Sequence, residues 1–255
     1  MNSPIKDPLN NFRCISVLKE LIPRGNIINS YLFYDGNLEF NLCADHRFIC
    51  GHTNRYLVYE FWKCALENPQ RLYELVTSDA LKFNHLDMFH TLQEHWSEYA
   101  DPYVRSALFF ILNHCSDKGR ISTGQIVLKN FNALNLSALK NFNPSNFYIT
   151  HAHDREVFDH LSYKSEADYL LLPIGKFTYS LLESNEKIAI EDTRVDHEKI
   201  ATQLMGMPKQ KWVVVYKFHK AVLNLYQEYN TTLVDKYGQQ TYKTEEAEEI
   251  IIANF

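Results

Sequence analysis

Two histidines one residue apart, His151 and His153, followed by Asp154, Asp159 and His160, form the group most like the start of a metal site. On an extended segment residues i and i+2 point to one side, so the two imidazoles could share a cation. No nearby Cys or carboxylate cluster supplies the third and fourth ligands, and the plainer reading is a polar strand end feeding a helix capped by Asp154. No metal is expected. His85, His90 and His95, with Trp96, recur every five residues. On a helix that spacing spreads them around the axis, so they do not converge as i, i+4 ligands would and read as part of a surface-exposed helical insertion. Asp117-Lys118-Gly119-Arg120, with Lys129, could meet phosphates or form a solvated loop. Glu245, Glu246, Glu248 and Glu249 make an acidic run before the last strand: a solvated loop, or a contact for a basic partner.

The stretch most able to position chemistry is residues 167–177, Ala-Asp-Tyr-Leu-Leu-Leu-Pro-Ile-Gly-Lys-Phe. A short apolar run stopped by Pro and turned by Gly reads as a buried central parallel strand. Ligands of open α/β sheets bind past the carboxyl ends of such strands. The turn at Leu172, Pro173, Ile174 and Gly175 supplies no carboxylate, nucleophile or metal ligand.

The elements around it are read from periodicity and punctuation. Residues 1–10, with Pro4 and Pro8, read as a loose leader. Helices are predicted over 12–22, 55–66, 70–76, 103–113, 134–142, 156–161, 196–205 and 221–229. Strands are predicted over 30–34, 46–50, 147–150, 169–172, 211–216, 232–234 and 249–253. Residues 78–99 read as a helical, His-rich piece of an insertion spanning about 78–145, and 177–191 carry little pattern. Strands alternating with helices imply one α/β domain over 1–255, a doubly wound parallel sheet with helices on both faces. The last two strands lack a helix between them and imply an antiparallel edge hairpin, as in S-adenosylmethionine-dependent methyltransferases.

Of the 255 residues 45% are hydrophobic, enough to bury a sizeable core, and the net charge is −5. That sign disfavours a protein that lives on phosphate backbones. The five cysteines, Cys14, Cys43, Cys50, Cys64 and Cys115, are odd in number, form no C-x-x-C pair and read as reduced core thiols. The polar first ten residues show no secretory signal, and no apolar run approaches membrane-spanning length. A cytoplasmic location is expected, the host cytoplasm if the chain is viral, with no membrane association.

The order of several short motifs resembles the Dam-type DNA adenine methyltransferases over about residues 11–255. These are His52-Thr53-Asn54-Arg55-Tyr56-Leu57-Val58 with Phe61-Trp62 and Glu67-Asn68-Pro69, then Phe109-Phe110-Ile111-Leu112-Asn113 with Gly119, Leu225-Tyr226-Gln227-Glu228-Tyr229, and the ending Glu249 to Phe255. The functional motifs implied by the resemblance are broken. Its N-terminal Gly-Lys pair is missing at Asn11 to Ser16, and its glycine-rich cofactor loop is shortened to Asp35-Gly36-Asn37-Leu38-Glu39. Its ribose-binding acid corresponds to His52. Its Asp-Pro-Pro-Tyr, which holds and stacks the flipped adenine, corresponds to Leu172-Pro173-Ile174-Gly175, and its later Ser-Tyr to Val215-Tyr216.

The joint loss implies a pseudoenzyme with no cofactor, acting as an interaction, scaffold or partner subunit, with a protein partner or a second copy. One alternative is a DNA-binding module using Lys118, Arg120 and Lys129. Another is an active, divergent adenine methyltransferase using S-adenosylmethionine, with Asp35, Asp168 or Glu39 replacing the lost acceptor near Leu172.

Overall fold

The computed structural model describes residues 3–7, 11–81, 86–121, 124–151, 166–177 and 195–255. Its centre is set by two apolar runs. Trp212 to Val215 form the middle of β5 (Lys211–Lys217), and Tyr169 to Leu172 begin β4 (Tyr169–Gly175). β-branched and aromatic side chains pack well on a pleated surface covered on both sides. Both strands are buried through their middles, as expected of interior strands of a parallel sheet.

Six further strands complete the sheet: β1 (Ile27–Ser30), β2 (Phe48–Thr53), β3 (Phe147–His151), β6 (Asn230–Asp235), β7 (Gln240–Thr241) and β8 (Ala247–Ala253). The order across the sheet is β3-β2-β1-β4-β5-β8-β6-β7. The first five run parallel. β8 lies antiparallel between β5 and β6, and β7 closes a hairpin on β6. The fold is therefore α/β, mostly parallel and Rossmann-like, with the expected antiparallel C-terminal hairpin.

Side-chain alternation divides the core. Tyr169, Leu171, Val213, Val215 and Ile251 face the larger cluster, with α1 (Ile15–Leu21), α2 (Asn37–Cys43), α3 (Tyr56–Glu67), α4 (Pro69–Thr77), α6 (Pro102–Cys115) and α7 (Ala133–Lys140). Leu170, Leu172, Ile174, Trp212, Val214 and Tyr216 face the smaller one, with α8 (His197–Met205) and α9 (Lys220–Leu225). Helix α6 is buried from Ser106 to Cys115, so part of the expected 78–145 insertion belongs to the main core. Helix starts follow local chemistry: Asn68, Asp101 and Asp196 each accept a backbone N–H of the turn they cap.

Several expectations need correction. The first strand is Ile27–Ser30, not 30–34. The aromatic run Tyr31 to Tyr34 looks extended in sequence, but Leu32 takes φ 60°, which ends the strand. The second strand runs two residues later and three further than 46–50. The described residues of the 78–99 piece are helical as expected, in three elements: α5 (Leu86–His95) and 3₁₀ turns at Asp79–Leu81 and Trp96–Glu98. The last helix stops at Leu225 rather than 229. Residues 3–7 are not loose: Pro4, Ile5 and Asp7 are buried. The expected helix over 156–161 and nearly all of 177–191 lie outside the described residues. Among the described residues no helix is long and apolar enough to cross a membrane.

Candidate functional site

The strand order reverses at β1, which has β2 and β3 on one side and β4 and β5 on the other. The crevice that takes ligands in such sheets lies past the carboxyl ends of β1 and β4. The loops after these two strands, with those after β2 and β5, therefore define the candidate site.

β4 enters it through Pro173 without stopping, against the expectation of a strand ending at Leu172. The Tyr31 N–H donates to the Leu171 carbonyl, so Leu171 and, by alternation, Pro173 turn their backbone groups toward β1. β1 pairs only as far as Leu171, so the proline needs no N–H there. The register then slips between Pro173 and Gly175, and Gly175 turns the chain at φ 80°, where glycine has no Cβ penalty. Leu172 is 0% exposed and Ile174 is buried beside it, both in the smaller apolar cluster. This end of β4 offers a reacting group no acceptor side chain.

The loop after β1 turns at Gly36, φ 70°, the residue before α2. A Cβ there would meet the Phe40 ring at 2.3 Å, so the glycine also permits this close packing. Asp35 accepts the Asn37 N–H at 3.2 Å through Oδ1. Burial, then the nearby carboxylates of Asp7 and Glu39, push the Asp35 carboxyl well above its usual range. Glu39 is buried, and the Ser30 hydroxyl donates to it at 2.6 Å. Burial raises the Glu39 pKa as well.

Of the three substitute acceptors, Glu39 and Asp168 lie away from Leu172, and Asp35 belongs to the neighbouring loop after β1. Ser30 shares the face of Ile28, so Glu39 lies on the larger-core side of the sheet while Leu172 points to the other. Asp168 precedes β4 at its amino end and accepts the Ile27 N–H at 2.8 Å. Asp35 sits in the turn before α2.

His52, where the resemblance puts a ribose-binding acid, is engaged by its neighbours. Its ring stacks on Tyr31 at 4.7 Å, and its Nδ1 lies 2.6 Å from Thr150 Oγ1. Burial pushes the Tyr31 phenol up to about 12. Past β4 and β5, the Phe177 ring stacks on His197 at 4.4 Å and on His219 at 5.0 Å. Tyr216 is buried, with its hydroxyl 3.2 Å from His197 Nδ1, and burial raises its pKa. The sequence reading missed this aromatic group; a Phe two residues beyond the Gly175 turn was its only local signal.

A second missed feature is the docked segment Ser3 to Asp7. Together with Asn11, Asp35 and Asn37 it lines a cavity of about 270 Å³ beside the Gly36 turn. Its anchors, Asn113 and His114, lie more than a hundred residues away, so no local pattern announces them.

The remaining candidates are dispersed. Arg120 is half-buried and follows a 3₁₀ turn at Asp117–Gly119, whereas Lys129 is exposed in a second turn, Leu128–Asn130. The side chain of Lys118 lies outside the described residues. His90 and His95 are exposed on α5, paired with Gln93 and Glu98, and Trp96 is buried. His151 ends β3 against the rings of Tyr56 and Tyr59. His85, His153, Asp154, Asp159 and His160 lie outside the described residues. Among the described residues no group of three or more His, Cys, Asp or Glu could hold a metal ion.

The acidic run is not one solvated loop. Glu246 is exposed and pairs with Lys243 at 2.7 Å, but Glu249 is 1% exposed within β8. Its carboxylate accepts the Arg13 and Cys14 N–H groups at 3.0 Å, at the start of α1, and the Lys217 ammonium at 2.6 Å. All five cysteines are free and buried. Burial pushes the Cys43 and Cys115 thiols up to about 12, which suits packing rather than nucleophilic work. Compared with known proteins, the chain matches no family model and no curated protein sequence.

Proposed function

We propose that the chain is a catalytically inactive protein of the DNA adenine methyltransferase type that acts as an interaction or scaffold subunit. The observation that carries this reading is the end of β4. Leu172 and Ile174 are sealed in an apolar cluster where base chemistry would need a hydrogen-bond acceptor and a stacking ring. Two neighbours support it. The ring at the ribose position, His52, is held by Tyr31 and Thr150, and the Gly36 turn is packed against Phe40. The strand order, with its antiparallel hairpin past β5, supports the methyltransferase type. The net charge of −5 favours a protein partner over a phosphate backbone.

The test is thermal unfolding with and without S-adenosylmethionine and S-adenosylhomocysteine at millimolar concentration. A ligand at 100 times its Kd stabilises the folded state by about 2.7 kcal/mol, several degrees for a chain of this size. No shift with either compound is the expected result. A shift of several degrees would overturn the reading and turn attention to adenine methylation.

A further inference from the structure

The segment Ser3 to Asp7 is held chiefly through its main chain. The Asn113 side chain takes both backbone groups of Lys6: Oδ1 accepts the N–H at 2.9 Å and Nδ2 donates to the carbonyl at 2.9 Å. His114 Nε2 donates to the Pro4 carbonyl at 2.7 Å. The Ser3 hydroxyl donates to the Asp35 carbonyl. Ile5 is the anchoring side chain, seated in the larger core at 3% exposure.

Two features set this segment apart from the body of the fold. It pairs with no strand of the sheet; a side-chain clamp and an apolar seat are prominent in its hold. Segments with few buried apolar contacts open at lower free energy than core strands. Closure also brings the Asp7 carboxylate to the same cavity as Asp35. Four of the seven residues lining that cavity belong to the segment: Ser3, Ile5, Lys6 and Asp7. The other side is the turn at the carboxyl end of β1.

We propose that Ser3 to Asp7 is a strap that opens as a unit while the rest of the protein stays folded, and that its opening uncovers Asp35, Gly36 and Asn37. The crevice at the switch point of the sheet is then gated by the N-terminal segment. This inference holds whether or not the crevice admits a cofactor.

Hydrogen exchange read by mass spectrometry on the full chain tests it. Ile5→Ala empties the apolar seat, a change that typically costs well over a tenfold shift in an opening equilibrium. The expected result is at least about tenfold faster exchange at Ile5, Lys6 and Asp7 and across the turn from Asn37 to Phe40, by local opening. In the native chain these amides already exchange faster than those of Leu170 to Leu172 and Val213 to Val215, and low denaturant changes their rates less than it changes those of the strands, the mark of local opening. Ser3→Ala removes the bond to the Asp35 carbonyl and the acceptor of the Ile5 N–H, and gives the same pattern with a smaller acceleration, which covers the case in which the larger truncation fails to fold. Carbodiimide-driven amine labelling of Asp35 rises in step with the opening. Exchange of the segment as slow and as denaturant-dependent as that of β4 and β5 in the native chain, or no acceleration at the segment in either variant, would overturn the proposal.

Discussion

Two carboxylate sites flank the carboxyl edge of the sheet, and they are built oppositely. At the end of β5, Glu249 is compensated from every side. A lysine ammonium lies 2.6 Å from it, and two N–H groups opening α1 point into it. At the end of β1, the charges acting on Asp35 are other carboxylates, Asp7 and Glu39, beside a cavity. A buried charge that meets a cation and donors ties elements together. A buried acid facing like charges costs stability and takes a proton instead. The first site is structural cement joining the N-terminal helix to the last strand. The second gathers like charges, with the Asn37 N–H as a donor to Asp35, at the place where such sheets bind ligands.

The largest effect that would break this contrast is at Glu249. Glu249→Ala should lower stability by about 3 kcal/mol, since it leaves Lys217 without its partner and uncaps α1; the figure is discounted because Lys217 is partly exposed. For a chain of this length that corresponds to a fall of roughly 6–12 °C in the thermal midpoint. Denaturant titration of the variant measures it. A loss near zero would mean that Glu249 is no more cement than a surface carboxylate.

A smaller effect sharpens the comparison from the strap side. Burial holds the His114 imidazole down at about 4, and its Nε2 bonds the Pro4 carbonyl. The unfolded chain then binds a proton that the folded one refuses between pH 6.5 and 4. The His114 contribution is complete above about pH 6.5 and is lost as pH falls toward 4, at no more than about 1.4 kcal/mol per pH unit for one group. Urea midpoints measured from pH 7 to 4 should fall less steeply in His114→Gln than in the native chain. Parallel curves would show that the ring is neither buried nor neutral as described.

Much of the fold was legible because its signals are local. The valine run of β5, the apolar run of β4 and the caps Asn68, Asp101 and Asp196 each act through residues next to one another in sequence. The errors fall where distant parts decide. Tyr31 to Tyr34 has strand composition, yet the left-handed Leu32 ends β1 at Ser30. Helix α2 was hidden in what read as a shortened loop, because its start depends on Phe40 packing over Gly36. Glu249 looked like one member of an acidic run, and only Lys217 and the start of α1 distinguish it. At the candidate site the sequence displayed a β4 end with no carboxylate, nucleophile or metal ligand. It did not display the ring packing around it, Tyr31 against His52 and Phe177 against His197 and His219.

The smallest effect is at Asp35, and its sign is the opposite of that at Glu249. Asp35→Asn keeps the size of the side chain and the acceptor for the Asn37 N–H, while removing an acid that burial and its carboxylate neighbours disfavour as a charge. A folded-state pKa raised above 3.8 means that the folded chain binds more protons, so native stability declines as pH rises from that value through the folded one. The variant should lack this decline and be more stable than the native chain at neutral pH. Denaturant titrations of both proteins between pH 4 and 8 measure the difference. A loss of stability with an unchanged pH slope would mean that Asp35, like Glu249, is held by attraction, and the contrast between the two ends of the sheet would fall.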